Sequence, residues 1–181
     1  MIGPPGSGKG TQAQILASAL GVPAISTGEM LREAVAAGSE LGRRVQGILT
    51  SGALVDDATM AAVVRERLAQ PDAARGFLLD GYPRTQEQAA TLKEILAGSG
   101  EDLDAALLIE VPEGEVIQRM AGRGRADDDE AVALARIDVF REAKPELVGY
   151  YRRQGLLREV DGDQPIEQVT SDILAALGDA R

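Results

Sequence analysis

The stretch that decides the fold of this chain is residues 3–11, with the sequence GPPGSGKGT. It places Gly3, Gly8 and Lys9 in the pattern Gly, four residues, Gly, Lys, which is typical of a phosphate-binding loop. The glycines let backbone N–H groups approach phosphate oxygens, the following helix adds its positive end, and the lysine reaches the outer phosphates. Gly10 stands where the generic motif has a magnesium-ligating Ser or Thr, so we expect metal capture to differ here. The alternative is a flexible glycine turn.

Composition narrows the class of protein. The chain has 181 residues, 44% of them hydrophobic, which suits one globular domain and not two. It has no cysteine and no histidine, so disulfides, thiolate sites and imidazole chemistry are excluded. The net charge of -10 opposes non-specific binding to nucleic acid or anionic membranes. With neither a long apolar run nor a signal peptide, we expect a cytoplasmic protein.

Apolar runs of strand type alternate along the chain with amphipathic helical stretches. Short strands are predicted at 22–27, 77–79, 107–109 and 156–160. Helices are predicted after the loop, at 28–38, 41–50, 57–69 and 86–96, from Pro112, around residues 133–140, and at 165–177. This alternation predicts an α/β protein with a mostly parallel sheet covered by helices on both sides.

Four motifs together resemble one family. GPPGSGKGTQ (3–12), ISTGEMLRE (25–33), DGYPRTQEQA (80–89) and GRGRADDD (122–129) occur in the order and at the separations of adenylate kinases with a short lid. The resemblance implies a P-loop, three-layer α/β/α fold with a five-stranded, mostly parallel sheet. It also implies a single monomeric domain spanning 1–181, with a helical AMP-binding subdomain at 26–55 and a lid at 123–136.

The resemblance assigns the first two motifs to the two nucleotides. It implies that the loop binds ATP, through Gly6, Ser7, Gly8, Lys9, Gly10 and Thr11. In the second motif, Thr27 resembles the residue that favours adenine over pyrimidine monophosphates, and Arg32 resembles a clamp on the AMP phosphate. Read from the residues alone, Thr27 is equally a helix cap and Arg32 part of a solvated face. The segment GALVDD implies AMP contacts at Ala53, Leu54 and Val55, whose side chains alone indicate only packing.

The third motif follows the carboxyl end of a predicted strand, where α/β proteins bind ligands. Arg84 can donate two parallel hydrogen bonds to a phosphate from there. The resemblance implies further AMP contacts at Gly81, Tyr82, Pro83 and Gln88. Asp80 ends the strand as an acid that holds magnesium through water does, although a turn-forming aspartate would look the same.

The fourth motif is rich in arginine. The resemblance implies that Arg119 stacks on the ATP base, that Arg123 clamps phosphate, and that Arg125 and Arg136, separated by 136 minus 125, or 11, positions, close on the phosphates of both nucleotides. An arginine pair four positions apart is otherwise a solvated helix face. Asp127 and Asp128 either pair with these arginines or begin the next helix. Gln164 either passes near the ATP base or is a turn residue.

The implied reaction is reversible phosphoryl transfer from ATP to AMP, giving two ADP. It requires positioning and charge neutralisation by Lys9, Arg84, Arg123, Arg125 and Arg136 with Mg²⁺, and it needs no general base. The lid is too short, and lacks the Cys and His ligands, for zinc. The alternatives are another nucleoside monophosphate kinase, with UMP or CMP as acceptor or GTP as donor, and a nucleotide-binding protein with impaired turnover.

The N-terminus departs from the family pattern. Family members carry about half a dozen more residues before the loop, which form the central strand of the sheet, whereas only Met1 and Ile2 precede it here. We therefore expect that strand to be largely absent from this chain, and the native protein to begin several residues earlier.

Overall fold

The computed structural model describes residues 1–122 and 130–178. Its helices are α1 (Lys9–Leu20), α2 (Thr27–Ala36), α3 (Glu40–Ser51), α4 (Asp57–Leu68), α5 (Gln86–Ala97), α6 (Glu113–Ala121), α7 (Glu130–Arg153) and α8 (Ile166–Gly178). Its strands are β1 (Ala24–Ser26), β2 (Leu78–Asp80), β3 (Ala106–Glu110) and β4 (Leu157–Asp161). A short 3₁₀ helix, Pro71–Arg75, precedes β2. The predicted alternation of strands and helices is confirmed, and the protein is a helix-rich α/β protein with short parallel strands.

The four strands form two parallel pairs. β1 lies beside β2 with Ile25 opposite Leu79, and β3 lies beside β4 with Leu108 opposite Glu159. Because parallel neighbours point the same way, the carboxyl ends within each pair lie together. Among the described residues the sheet is thus two separate pairs, where the resemblance implied one sheet of five strands.

The first two residues lie between the two pairs. The Ile2 N–H donates to Leu107 O at 2.6 Å, and Ile109 N–H donates to Ile2 O at 2.9 Å, which makes a parallel bridge to β3. On the other side, the Met1 amino nitrogen donates to Leu79 O in β2 at 2.6 Å. A single bridge therefore stands where the family pattern has its central first strand, in line with the expectation that this strand is largely absent here.

Helices cover both faces of the β3–β4 pair. Leu107 and Ile109 pack towards α1 and α8, in a cluster with Leu16 and Ile173. Leu108 packs on the other face with α5 and α7, in a cluster with other buried side chains: Ile2, Ala89, Ala106, Leu147, Val148 and Tyr151. Successive strand residues point to opposite faces, so a run that is buried throughout requires a layer on each side. This is the predicted three-layer arrangement.

Side-chain caps set the starts of four helices. Each cap is a Ser, Thr or Asp oxygen that accepts a hydrogen bond from the N–H three residues later, which satisfies one of the four N–H groups left unpaired at a helix start. The caps are Ser26 for α2, Ser39 for α3, Asp56 for α4 and Thr85 for α5. Ser26, the last residue of β1, thereby starts α2 directly after that strand.

Two glycines of α3 test how tightly α2 and α3 pack. A Cβ on Gly42 would lie 2.0 Å from Ala34 O in the α2 backbone, whereas a Cβ on Gly47 would meet nothing within 4 Å. We expect Gly42→Ala to lower the free energy of unfolding by at least about 2 kcal/mol through overpacking. Gly47→Ala should instead raise it by about 0.5–1 kcal/mol, because alanine favours the helix. Thermal unfolding of both variants is the measurement, and equal shifts would contradict the tight packing.

Candidate functional site

One large cleft of about 830 Å³ opens at the carboxyl ends of the strands. Its volume lies in the range of small-molecule sites, and its position is where open α/β sheets bind ligands. Most of the residues predicted for the site line it: Gly6, Ser7, Gly8, Lys9, Gly10, Thr11, Arg32, Ala53, Leu54, Asp80, Gly81, Pro83, Arg84, Arg119, Arg136 and Gln164.

The glycine-rich loop packs directly against α6. Gly6 has φ +82°, and a Cβ there would lie 2.9 Å from Val116 O and 2.9 Å from Met120 Cγ. Only glycine combines that left-handed conformation with so close an approach. The loop is therefore held against the body of the protein while its other side borders the cleft.

Helix α1 begins at Lys9, directly after the loop. Gly8, its N-cap, has φ 87°, and no side chain caps the helix. The first N–H groups of α1 thus open onto the loop, where they and the helix dipole favour an anion. The Lys9 ammonium lies over the loop and donates to Gly3 O at 2.8 Å and Pro4 O at 2.7 Å.

Asp80 ends β2 beside the first turn of α1. A Cβ on Gly10 would lie 3.8 Å from Asp80 Oδ2, an ordinary van der Waals contact, which places the carboxylate next to the first turn of α1. Asp80 Oδ1 is buried and has no hydrogen-bond partner among the described residues. A buried carboxylate oxygen without a donor fits a cation, or water bound to a cation, because an unsatisfied charge there is otherwise costly. The residues present therefore fit Mg²⁺ held by one carboxylate and by substrate phosphates.

Three arginines, Arg32, Arg84 and Arg136, lie close enough in the cleft to interact electrostatically. Arg84 Nε donates to Gly81 O at 2.8 Å. Burial lowers the pKa of Arg84, with Asp80 opposing that shift and Arg136 and Arg32 adding to it. Three guanidinium groups that repel one another within a chain of net charge -10 make a local site for an anion.

A second, small cavity of about 20 Å³ lies beside these arginines, and its lining includes Thr27, Val55 and Gln88. Thr27 Oγ1 donates to Asp80 O at 3.3 Å. The Gln88 side chain is 2% exposed. The cavity holds about one water molecule, so a larger ligand requires its walls to part.

Arg119 is held in a network at the far end of the cleft. Its Nε donates to Glu115 Oε1 at 2.8 Å, one terminal nitrogen donates to Gly162 O at 3.0 Å, and the other to Asp163 Oδ1 at 3.2 Å. Gln164 Nε2 donates to Asp161 O at 3.1 Å in the same loop. The guanidinium is thus anchored to both α6 and the loop before α8.

Some predicted residues are placed differently or lie elsewhere. The Tyr82 side chain is 1% exposed and packs in the hydrophobic core, so the structure does not bring it into either cavity. Arg136 reaches α3 and donates to Leu49 O at 3.3 Å. Arg123, Arg125, Asp127 and Asp128, and with them most of the predicted lid, lie outside the described residues.

Sequence reasoning missed three acids at the site: Asp57, Glu115 and Asp163. Asp57 Oδ1 accepts from Gln88 Nε2 at 2.8 Å, and the other two hold Arg119. Acids in the first turn of a helix are ordinary, so Asp57 and Glu115 carried no separate signal. The one signal that could have found the Glu115–Arg119 pair is its spacing of four residues on a helix.

Comparisons with known proteins agree on one family. The family model described as adenylate kinase matches residues 1–156. The chain is 49% identical over 181 residues to an adenylate kinase of Thermobifida fusca, covering 98% of this chain and 96% of that one. It is 45% identical over 177 residues to an adenylate kinase of Corynebacterium urealyticum (98% and 97%) and 41% identical over 208 residues to one of Kosmotoga olearia (98% and 97%).

Proposed function

The chain belongs to the adenylate kinase family, which makes it an enzyme of phosphoryl transfer between adenine nucleotides, and we propose that it converts ATP and AMP reversibly to two ADP with Mg²⁺. The observation that carries this proposal is the meeting of two anion sites in one cleft, the loop with Lys9 on one side and the arginines around Arg84 on the other. Transfer between two phosphates needs both.

ATP is proposed to bind along the loop. The N–H groups of residues 6–11 would hold the β- and γ-phosphates, and Lys9 would exchange its contacts with Gly3 O and Pro4 O for phosphate oxygens. The anchored guanidinium of Arg119 offers a flat surface on which the adenine stacks, with Gln164 nearby. Arg123 would clamp the phosphates, as the resemblance implies.

AMP is proposed to bind opposite. Arg32, Arg84 and Arg136 would neutralise its phosphate, with Arg125 added from the lid. The base would enter the cavity lined by Thr27 and by the other residues predicted for it: Ala53, Leu54, Val55, Gly81 and Gln88. Since that cavity holds about one water molecule, AMP binding requires α2 or α4 to move outward. Tyr82 and Pro83 would support the turn that carries Arg84.

Positioning and electrostatics account for the chemistry. The attacking oxygen of AMP is already charged at neutral pH, so the reaction needs no general base, and a chain without histidine can carry it out. Lys9 and the arginines hold the two phosphates in line and neutralise the charge on their oxygens. Asp80 would hold Mg²⁺ through water, and the metal, when bound, would supply further neutralisation of the phosphate oxygens. We also propose a monomer that acts in the cytoplasm and binds neither nucleic acid nor membrane, as the net charge favours. Within residues 1–122 and 130–178, no helix has the length and apolarity to cross a membrane.

The proposed reaction is tested by ADP formation from ATP, AMP and Mg²⁺ in a coupled assay. We expect Arg84→Ala to lower kcat by about a hundredfold or more, since a guanidinium aimed at phosphate is removed. The melting temperature should stay close to that of the wild type, because the hydrogen bond that the Arg84 side chain makes to Gly81 O lies within its own turn. Arg152→Ala, which removes an exposed arginine paired with Glu159, is the matched control and should leave kcat unchanged. Wild-type ATP binding without ADP formation would favour the binding protein over the enzyme.

The nucleotide that accepts the phosphoryl group distinguishes the proposed AMP kinase from the alternative kinase that uses UMP or CMP. We expect Thr27→Ala to lower the ratio of AMP to CMP turnover by about tenfold, because a polar group facing the base is lost. Thr27→Ser keeps the hydroxyl that donates to Asp80 O and should keep the ratio. An unchanged AMP preference in the alanine variant would remove Thr27 from acceptor selection.

The metal proposal rests on Asp80. We expect Asp80→Asn to raise the Mg²⁺ concentration needed for half-maximal activity by about tenfold, because the outer-sphere carboxylate is neutralised. Asp102→Asn, in the exposed turn before β3, is the control and should not change it. Mg²⁺ titration of initial rates is the measurement, and identical curves for the three proteins would contradict the role of Asp80.

A further inference from the structure

The carboxamide of Gln88 is held from both ends. Its Oε1 accepts from the backbone N–H of Arg84 at 2.8 Å, and its Nε2 donates to Asp57 Oδ1 at 2.8 Å. A backbone N–H can only donate and a carboxylate can only accept, so these two partners leave the amide one orientation. The Gln88 side chain is 2% exposed, so its amide is shielded from bulk water, whereas Asp57 is exposed.

We propose that Asp57 is a positioning residue for acceptor selectivity, which fixes the Gln88 amide so that it accepts an adenine and rejects a 6-oxopurine. The inference rests on the proposed function, since it assumes that the acceptor base occupies the cavity that Gln88 lines. Asp57 contacts no ligand itself. It acts through Gln88, from the first turn of α4 to a residue of α5 that is 31 positions away.

The oriented amide has one N–H and one oxygen lone pair left. Adenine offers the matching pattern, an amino group that donates to Oε1 beside a ring nitrogen that accepts from Nε2. Hypoxanthine offers the reverse pattern, with a carbonyl oxygen facing Oε1 and a ring N–H facing Nε2. An amide free to rotate could adapt to either base, whereas one held by both Arg84 N–H and Asp57 leaves the wrong base with two unpaired polar groups. Loss of Asp57 would remove one of the two contacts that oppose rotation.

The neighbouring acid, Asp56, makes a different contact and therefore serves as a matched control. Asp56 Oδ1 accepts from Thr59 N at 2.8 Å and caps α4. Its loss should weaken the helix start without touching Gln88. Asp56 and Asp57 are both exposed acids of the same segment, so substituting either makes the same change in charge.

The experiment measures calorimetric dissociation constants of AMP and inosine 5′-monophosphate for four proteins: the wild type, Asp57→Ala, Asp57→Asn and Asp56→Ala. We expect Asp57→Ala to weaken AMP binding about tenfold and to change inosine monophosphate binding less than about twofold, since one charge-assisted hydrogen bond is lost. Asp57→Asn, whose Oδ1 can accept from Gln88 Nε2, should restore most of the selectivity. Asp56→Ala should lower the melting temperature and keep the wild-type ratio of the two constants.

Two results would overturn the inference: an unchanged ratio in Asp57→Ala, or an equal fall of the ratio in Asp56→Ala. ADP formation by the wild type is measured separately. A wild-type protein that prefers AMP to inosine monophosphate but forms no ADP would refute the proposed catalysis alone, and the ratio in the variants would still decide the role of Asp57.

Discussion

The close approach of the glycine-rich loop to α6 is the constraint on which the site depends. Val116 O and Met120 Cγ lie where a side chain on Gly6 would have to be, so the loop rests on α6 without a spacer. That contact sets where α1 begins, and with it where the positive helix end and Lys9 lie. A bulkier residue would lift the loop and displace every backbone donor at once.

The basic side chains that line the cleft are opposite in sign to the net charge of the chain. The chain carries 29 acidic and 19 basic residues, yet Lys9, Arg32, Arg84, Arg119 and Arg136 all line one cleft. The lowered pKa of Arg84 expresses the same fact, because crowding and burial of like charges disfavour the protonated form. We propose that a phosphate bound beside these arginines would relieve that repulsion, so that their crowding favours anion binding.

Much of the fold was predictable because its signals are local. The caps at Ser39, Asp56 and Thr85 precede helices that the sequence indicated to within a few residues, and the continuous apolar run of β3 indicated a strand covered on both faces. The division of the strands into two pairs, with Ile2 bridged to β3 and the Met1 amino group bonded to Leu79 O in β2, was not predictable, since hydrogen bonding between strands depends on distant partners. The inward position of Tyr82 was missed for a similar reason, because a turn residue shows no periodicity that assigns it to the core.

By itself the sequence determined the class of protein and indicated the glycine-rich loop and the five basic residues that line the cleft, because four short motifs carry the resemblance to the family. Only the tertiary structure decided which of those residues meet. It brought Arg32, Arg84 and Arg136 together from three separate elements, anchored Arg119 to the loop at Gly162, and joined Asp57 to Gln88 across two helices. Contacts of this kind form between residues far apart in the chain, so they depend on the packing of whole elements and leave no local pattern.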